Sequence, residues 1–250
     1  ALAGRAVHGE KVAMKTVLIS QPMYFPWVGM LEQMALADVW VHLDDAQFSK
    51  GGFFNRVQIK TTDGTPWLTV PLAENKLGQR LNEAQPATHD WQRKHRTTLQ
   101  QSYATGPHVA EMLALVESVF AAGHASLAGL SAASMEALAD SFEVMPETVL
   151  RSSEMAAIEG GGSERVLAIC RELGAKRYVT GQGAADYLDH AAFDEAGIAV
   201  EYMDYEKRAY PQLHGDFTPF VSALDLLANC GQAGRDVIAP RTVCWKDFVK

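Results

Sequence analysis

The chain has 250 residues, of which 48% are hydrophobic and 21% charged, the make-up of an ordinary globular protein with room for one large or two small domains. Its 30 acidic and 22 basic residues leave a formal net charge of −8, which excludes nonspecific nucleic-acid binding through overall charge but leaves room for a local basic patch that holds a tRNA. Three scattered cysteines, Cys170, Cys230 and Cys244, form no Cys-x-x-Cys pair and read as free thiols of a reducing cytoplasm, and no apolar run nears the roughly 20 residues that span a bilayer.

Ala1 to Ala13 lacks the apolar stretch of a signal peptide and is read as an extension or expression remnant outside the fold. Thr16 to Ile19 reads as a short buried strand, and Gly29 to Ala37 has helical composition. Between them, Gln21-Pro-Met-Tyr-Phe-Pro-Trp27 lies where a parallel strand gives way to its crossover helix, the edge at which open α/β sheets bind ligands. Pro22 and Pro26 pin φ, so the loop gives up little entropy on ordering around a ligand. Its aromatics, Tyr24 and Trp27 among them, either cap the core or face that ligand.

A second strand candidate, Asp38 to Leu43, runs into Asp44-Asp-Ala-Gln-Phe-Ser-Lys50, with Asn55 and Arg56 soon after. Asp44 and Asp45 have several readings: Mg²⁺ ligands beside a substrate phosphate, anchors for an amine or sugar hydroxyls, a general base, or plain loop caps. Gln47 and Lys50 add polar contacts, and Arg56 suits a carboxylate or phosphate, or else a structural salt bridge. Val57 to Leu72 reads as a hairpin that turns at Asp63-Gly64.

The middle is helical. Trp91 to Tyr103, His108 to Phe120 and Ser131 to Phe142 carry apolar residues at helical spacing. The spacing of His89 and His95 fits no helical metal pair, which favours solvated or capping roles over ligation. The α/β rhythm then returns, with strands at Thr148 to Ser153, Arg177 to Thr180 and Ile198 to Tyr202 and a helix at Ser163 to Leu173. Gly160-Gly-Gly-Ser163 lacks the Gly-Lys-Ser/Thr ending of a P-loop. Thr180-Gly-Gln-Gly-Ala184 places Gln182 at a strand's carboxyl end, with Asp186 on or near the helical turn expected next. Ser222 to Ala228 reads as a helix carrying Asp225 and Asn229 on one face. The expectation is an α/β protein with a mostly parallel sheet flanked by helices: an N-terminal α/β part (14–86), a helical layer or subdomain (87–145) and a C-terminal α/β part (146–250) that completes the cleft.

Gln-Pro-x-Tyr-Phe-Pro-Trp-x-Gly at Gln21 to Gly29, Leu-Asp-Asp-x-Gln-Phe-Ser-Lys at Leu43 to Lys50, Asn-Arg-x-x-Ile-Lys at Asn55 to Lys60 and Trp-Leu-Thr-Val-Pro at Trp67 to Pro71 together resemble the bacterial WbqC-like protein family. Tyr178 to Asp189, Tyr202 to Gln212 and Phe217 to Gly231 extend the resemblance over about Met14 to Gly231. It implies a role in O-antigen or capsule biosynthesis, the modification of a sugar, and the attachment of an amino acid such as glycine to an amino sugar. It also supports Gln212, Ser222 and Asp225 as site positions. This chain has Ser20 where such proteins often have a histidine, and a hydroxyl is no acid or base near neutral pH. The strand, aromatic-Pro-x-x-Gly turn and helix at Phe25 to Gly29 are also similar to the nucleotidylyltransferase-like superfamily, which implies ATP at the helix start with Gly29 allowing close approach. The first signature histidine is replaced by Trp27, and no second one follows Gly29.

The resulting expectation is a cytoplasmic transferase or ligase acting on an amino sugar or its nucleotide-linked form, with glycine and ATP plus Mg²⁺, or glycyl-tRNA, as donor. Asp44, Asp45 and Gln47 are the catalytic candidates. Gln21, Tyr24, Trp27, Lys50, Asn55, Arg56, Gln182, Asp186, Gln212, Ser222 and Asp225 are the substrate-binding candidates, and Gly29 the nucleotide contact. The alternatives are a non-catalytic protein that presents a glycan intermediate and a nucleotidylyltransferase-like enzyme.

Overall fold

A computed structural model describes residues 14–49, 51–74, 76, 78–88, 90–156 and 160–248. Five parallel strands form the centre: β1 (Thr16–Ser20), β2 (Val39–His42), β5 (Thr148–Arg151), β6 (Arg177–Thr180) and β7 (Ala199–Met203). A short antiparallel strand, β8 (Thr242–Cys244), closes one edge, giving the order β5-β2-β1-β6-β7-β8. The chain winds outward from β1 through β2 to β5, then returns past β1 to β6 and β7. Its direction of winding therefore reverses between β1 and β6, and the carboxyl edge there is where such sheets open a crevice. The expected mostly parallel α/β architecture is present.

Alternation along the strands divides the interior. Leu18 and Trp40 face one side, where they join α1 (Val28–Met34), α2 (Trp91–Ser102), α3 (Val109–Ala121), α4 (Leu127–Ser141) and α7 (Ala223–Cys230) in one apolar cluster. Val17, Ile19, Val39 and Val41 face the other, against α5 (Gly162–Glu172) and α6 (His190–Glu195). Helices on both faces explain why Val17 and Leu18 are each wholly buried, as in strands covered on two sides. The hairpin pairs β3 (Arg56–Gln58) with β4 (Trp67–Thr69) in a separate two-stranded sheet whose inward residues, Val57 and Leu68, join the first cluster.

Element ends differ from expectation for local reasons. Helix α4 starts four residues before Ser131, because the Ser126 hydroxyl accepts from the Gly129 amide at 3.1 Å and caps it. The strand expected to reach Ser153 stops at Arg151, and Ser152–Glu154 turns as a 3₁₀ helix. After β6, only a 3₁₀ turn at Gln182–Ala184 forms. Helix α6 waits for Asp189, whose carboxylate caps it by accepting from the Ala192 amide. Asp186 therefore lies in an exposed connection. Strand β8 and α8 (Trp245–Phe248) are too short to carry a periodic signal. Among the described residues no helix is long and apolar enough to cross a membrane.

Candidate functional site: an aromatic cleft and a clamped acidic loop

The loop after β1 is held at every turn. Phe25 has φ 40°, a left-handed conformation that strains a residue with a bulky side chain. Its amide donates to the Ser134 hydroxyl at 2.8 Å, and its carbonyl accepts from the Ser222 hydroxyl at 2.7 Å. The Tyr24 amide donates to the Phe53 carbonyl and the Ala223 amide to the Pro26 carbonyl. Ser222 also donates its amide to the Gln58 carbonyl and caps α7 through the Leu224 amide. This buried residue thus joins loop, hairpin and helix.

Trp27 precedes α1, with its ring centroid 4.8 Å from that of Tyr205 and 5.9 Å from that of Phe220. A Cβ on Gly29 would stand 2.3 Å from the Trp27 ring, so the glycine is what lets the indole lie over the helix start. The space beside Gly29 is filled by this ring.

Between the loop and the hairpin lies a cleft of about 380 Å³, walled by Met23, Tyr24, Pro26, Trp27, Phe53, Val57, Gln58, Trp67 and Phe220. Exposed aromatic surface is the unusual element: Phe53 is 52%, Trp67 39% and Phe220 55% exposed. Tyr24 lies beneath, fully packed, with its hydroxyl bonded to His95. Flat apolar rings around a concave space are what the C–H face of a pyranose or the plane of a base packs against. Arg56 stands over Trp67, and Lys207 over Phe220.

The acidic loop after β2 is a second group. Asp44 is 5% exposed and accepts from the Ser153 amide at 2.9 Å and the Ser153 hydroxyl at 2.6 Å, with the Ser152 hydroxyl oxygen 3.1 Å away. Asp45 accepts from the Ser152 hydroxyl and from Arg165 at 2.6 Å. Burial opposes the charge on Asp45, but the bonds from Arg165 and Ser152 outweigh it and hold the carboxyl below the usual carboxylate range. Such a carboxylate is a weak proton acceptor and a good fixed negative charge. Among the described residues no three His, Cys, Asp or Glu side chains gather as a metal site, and the oxygens of both aspartates are already engaged. A divalent cation here would have to displace Ser152, Ser153 or Arg165.

The other candidates are dispersed. Gln21 follows β1 half-buried, and Gln47 is exposed, its backbone bridged to Arg80. Asn55 donates to the Val70 carbonyl within the hairpin. Gln182 donates to the Met203 carbonyl. Gln212 accepts from the Lys60 ammonium and donates to the Tyr210 hydroxyl, which in turn donates to Asp225 at 2.9 Å. Burial raises the Asp225 carboxyl against the lowering effect of the Tyr210 and Tyr103 hydroxyls, Gln212 and Lys60, and Asn229 contacts it as the helix spacing implied. Lys50 falls outside the described residues. The structure therefore gathers Tyr24 and Trp27 in the cleft wall, with Arg56 stacked on Trp67 from a neighbouring groove, pairs Asp44 with Asp45, and places Gln212 and Asp225 in an internal network.

Several polar residues around these groups have no sequence motif. His42, wholly buried at the end of β2, lies 3.1 Å from Glu136, which also pairs with Arg151. Burial lowers its imidazole below the usual range although Glu136 opposes the shift, and its Nδ1 has no partner. Ser152, Ser153 and Arg165 come from distant sequence. The exposed ring of Trp67 was legible in principle, since it alternates with the buried Leu68 along β4.

Residues 21–237 match the WbqC-like protein family. An uncharacterized protein of Mycobacterium tuberculosis is 33% identical over 228 residues, covering 90% of this chain and 98% of that protein. No solved structure matches. A family match over most of the chain, together with a relative of 33% identity over nearly its whole length, leads to one conclusion: the chain belongs to the WbqC-like protein family.

Proposed function

We propose that this protein is a transferase or ligase of bacterial surface-polysaccharide biosynthesis that attaches an amino acid such as glycine to an amino sugar or its nucleotide-linked form. The observation that carries the reading is the open aromatic cleft beside the carboxyl edge of the sheet, a wall for a sugar ring in a protein whose family resemblance implies a sugar substrate. In the reaction, the sugar amine attacks the glycyl carbonyl carbon, the C–N bond forms, the bond from that carbon to the leaving oxygen breaks, and the amine proton passes to the departing oxygen or to solvent. The leaving group is the tRNA hydroxyl of glycyl-tRNA or, when ATP activates free glycine, AMP after loss of pyrophosphate. Asp45, kept ionised by Arg165, orients the attacking amine rather than taking its proton, and Trp27 and Trp67 hold the ring.

A non-catalytic sugar-binding role is the second reading. It is favoured by the engagement of both aspartates with Ser152, Ser153 and Arg165, which leaves neither as a free base.

Mass spectrometry of purified protein with a dTDP-linked 4-amino sugar separates the two readings. One tube holds glycine, ATP and Mg²⁺, and the other holds glycyl-tRNA. A product heavier by one glycyl group in either tube supports transfer and names the donor. Binding without a mass change in both contradicts transfer of glycine and supports the binding role.

A further inference from the structure

Two cations without a carboxylate lie against aromatic walls of the cleft, Arg56 in the neighbouring groove lined by Gly51, Asn55 and Thr69, and Lys207 in the one lined by Gly29 and Tyr205. The Arg56 guanidinium lies 4.2 Å from the Trp67 ring centroid, and the Lys207 ammonium lies 4.9 Å from that of Phe220. Both rings are walls of the cleft. Acidic residues outnumber basic ones in this chain, and Arg93, Arg96, Arg151, Arg165, Arg177 and Arg208 each meet an Asp or Glu. Among the described residues neither Arg56 nor Lys207 has such a partner.

Arg56 is held in one orientation by the loop beside it. One Nη donates to the Gly51 carbonyl, presented by a glycine at φ 95°, while Nε is buried with no partner. A guanidinium lying on an indole keeps its N–H groups directed outward in its own plane, where they suit the paired oxygens of a phosphate. A stacking wall with an in-plane fork of donors beside it matches a ligand that is flat or ring-shaped at one end and phosphorylated at the other.

We propose that the cleft takes its sugar as a phosphate ester, with Arg56 binding the phosphate oxygens and Lys207 adding positive charge from the Phe220 wall. This rests on the reading of the cleft as the sugar site and narrows it, because the free sugar lacks the group that Arg56 recognises. The shared chemistry is a glycosyl diphosphate, carried either by a nucleoside or by a polyprenyl lipid.

Isothermal titration of the full chain with three ligands tests it: a free 4-amino sugar, its dTDP-linked form and its farnesyl-diphosphate-linked form. At least one linked form is expected to bind roughly tenfold or more tighter than the free sugar, with an affinity that falls as salt rises. Arg56→Gln is expected to remove that advantage, weakening the linked form far more than the free sugar, and Arg56→Lys to restore part of it. The linked form that binds identifies the carrier. Equal affinities for free and linked sugar, or an Arg56→Gln loss of the same size for both, overturn the phosphate proposal while leaving the sugar cleft standing. Failure of all three ligands to bind overturns both.

Discussion

The Tyr24 hydroxyl lies 3.0 Å from Nδ1 of His95, whose Nε2 lies 3.2 Å from the Thr69 carbonyl, so one buried imidazole ties the loop after β1 to helix α2 and to the hairpin. A carbonyl can only accept. Nε2 therefore carries the proton, Nδ1 accepts from the phenol, and the network is satisfied by neutral histidine alone. Burial pushes the imidazole down to about 4, with the Thr69 carbonyl opposing. The walls of the cleft are thus positioned by a group that does not tolerate protonation.

Stability is accordingly expected to depend on pH through His95. In the unfolded chain this imidazole takes up a proton near 6.5, whereas in the folded protein it does so only near 4. Its contribution is fully present above pH 6.5 and is lost as pH falls from about 6.5 to about 4, by roughly 3 kcal/mol as an order of magnitude. Urea unfolding at intervals across that range should show the decline, and His95→Gln should flatten it while lowering stability at pH 7.

The Asp45 and Arg165 pair is expected to act in the opposite part of the pH scale. Its carboxyl is held below its ordinary value of 3.8, so the stabilisation is present above that value and disappears as pH falls through the lower folded one. Their side chains are only 13% and 20% exposed. Arg165→Met should cost about 1–3 kcal/mol at pH 7, and a double-mutant cycle with Asp45→Asn should show a favourable coupling. Additive losses would mean that the contact contributes little.

Gly29→Ala is expected to displace Trp27, because the new methyl would fall within the indole. A loss of about 1–3 kcal/mol should accompany a change in tryptophan fluorescence and weaker binding in the cleft. A variant with the parent's spectrum and affinity would show that the ring has room to move.

Lys60 is 5% exposed, and its ammonium donates to Gln212 Oε1 and the Gly215 carbonyl, each at 3.1 Å, and to the Asp216 carbonyl. Replacing it with Met leaves those acceptors unpaired, at a cost of about 2 kcal/mol or more. Amide exchange should quicken in residues 210–219, which this cation fastens to the hairpin, and far less in the central strands.

The sheet was legible because its strands are short apolar runs joined by helix-like segments, and β1, β2, β6 and β7 lie within a residue or two of where the sequence places them. The loops after β1 and β2 stood out through their prolines, aromatics and paired aspartates. What clamps those aspartates did not, because Ser152, Ser153 and Arg165 lie more than 100 positions away, the serines brought in by the pairing of β2 with β5 and the arginine by helix α5. Nor does sequence reveal that Tyr24 is buried while Phe53 and Phe220 stay exposed, since aromatic residues serve either role. Asp225 illustrates the same limit: a carboxylate on an amphipathic helix reads as a site or a cap, and only its bond from Tyr210, itself tied through Gln212 to Lys60, places it in an internal network.

The central claim is that the cleft between the loop after β1 and the hairpin holds the sugar, and the most direct test is titration of a dTDP-linked 4-amino sugar into the parent, Trp67→Ala and Asp45→Asn proteins. Trp67 is 39% exposed at the rim, so its removal spares the core. The account predicts that Trp67→Ala weakens binding about tenfold or more, consistent with loss of an aromatic stacking partner, while Asp45→Asn changes affinity far less. Unchanged affinity in Trp67→Ala, with binding lost instead in Asp45→Asn, would place the sugar at the acidic loop and contradict it.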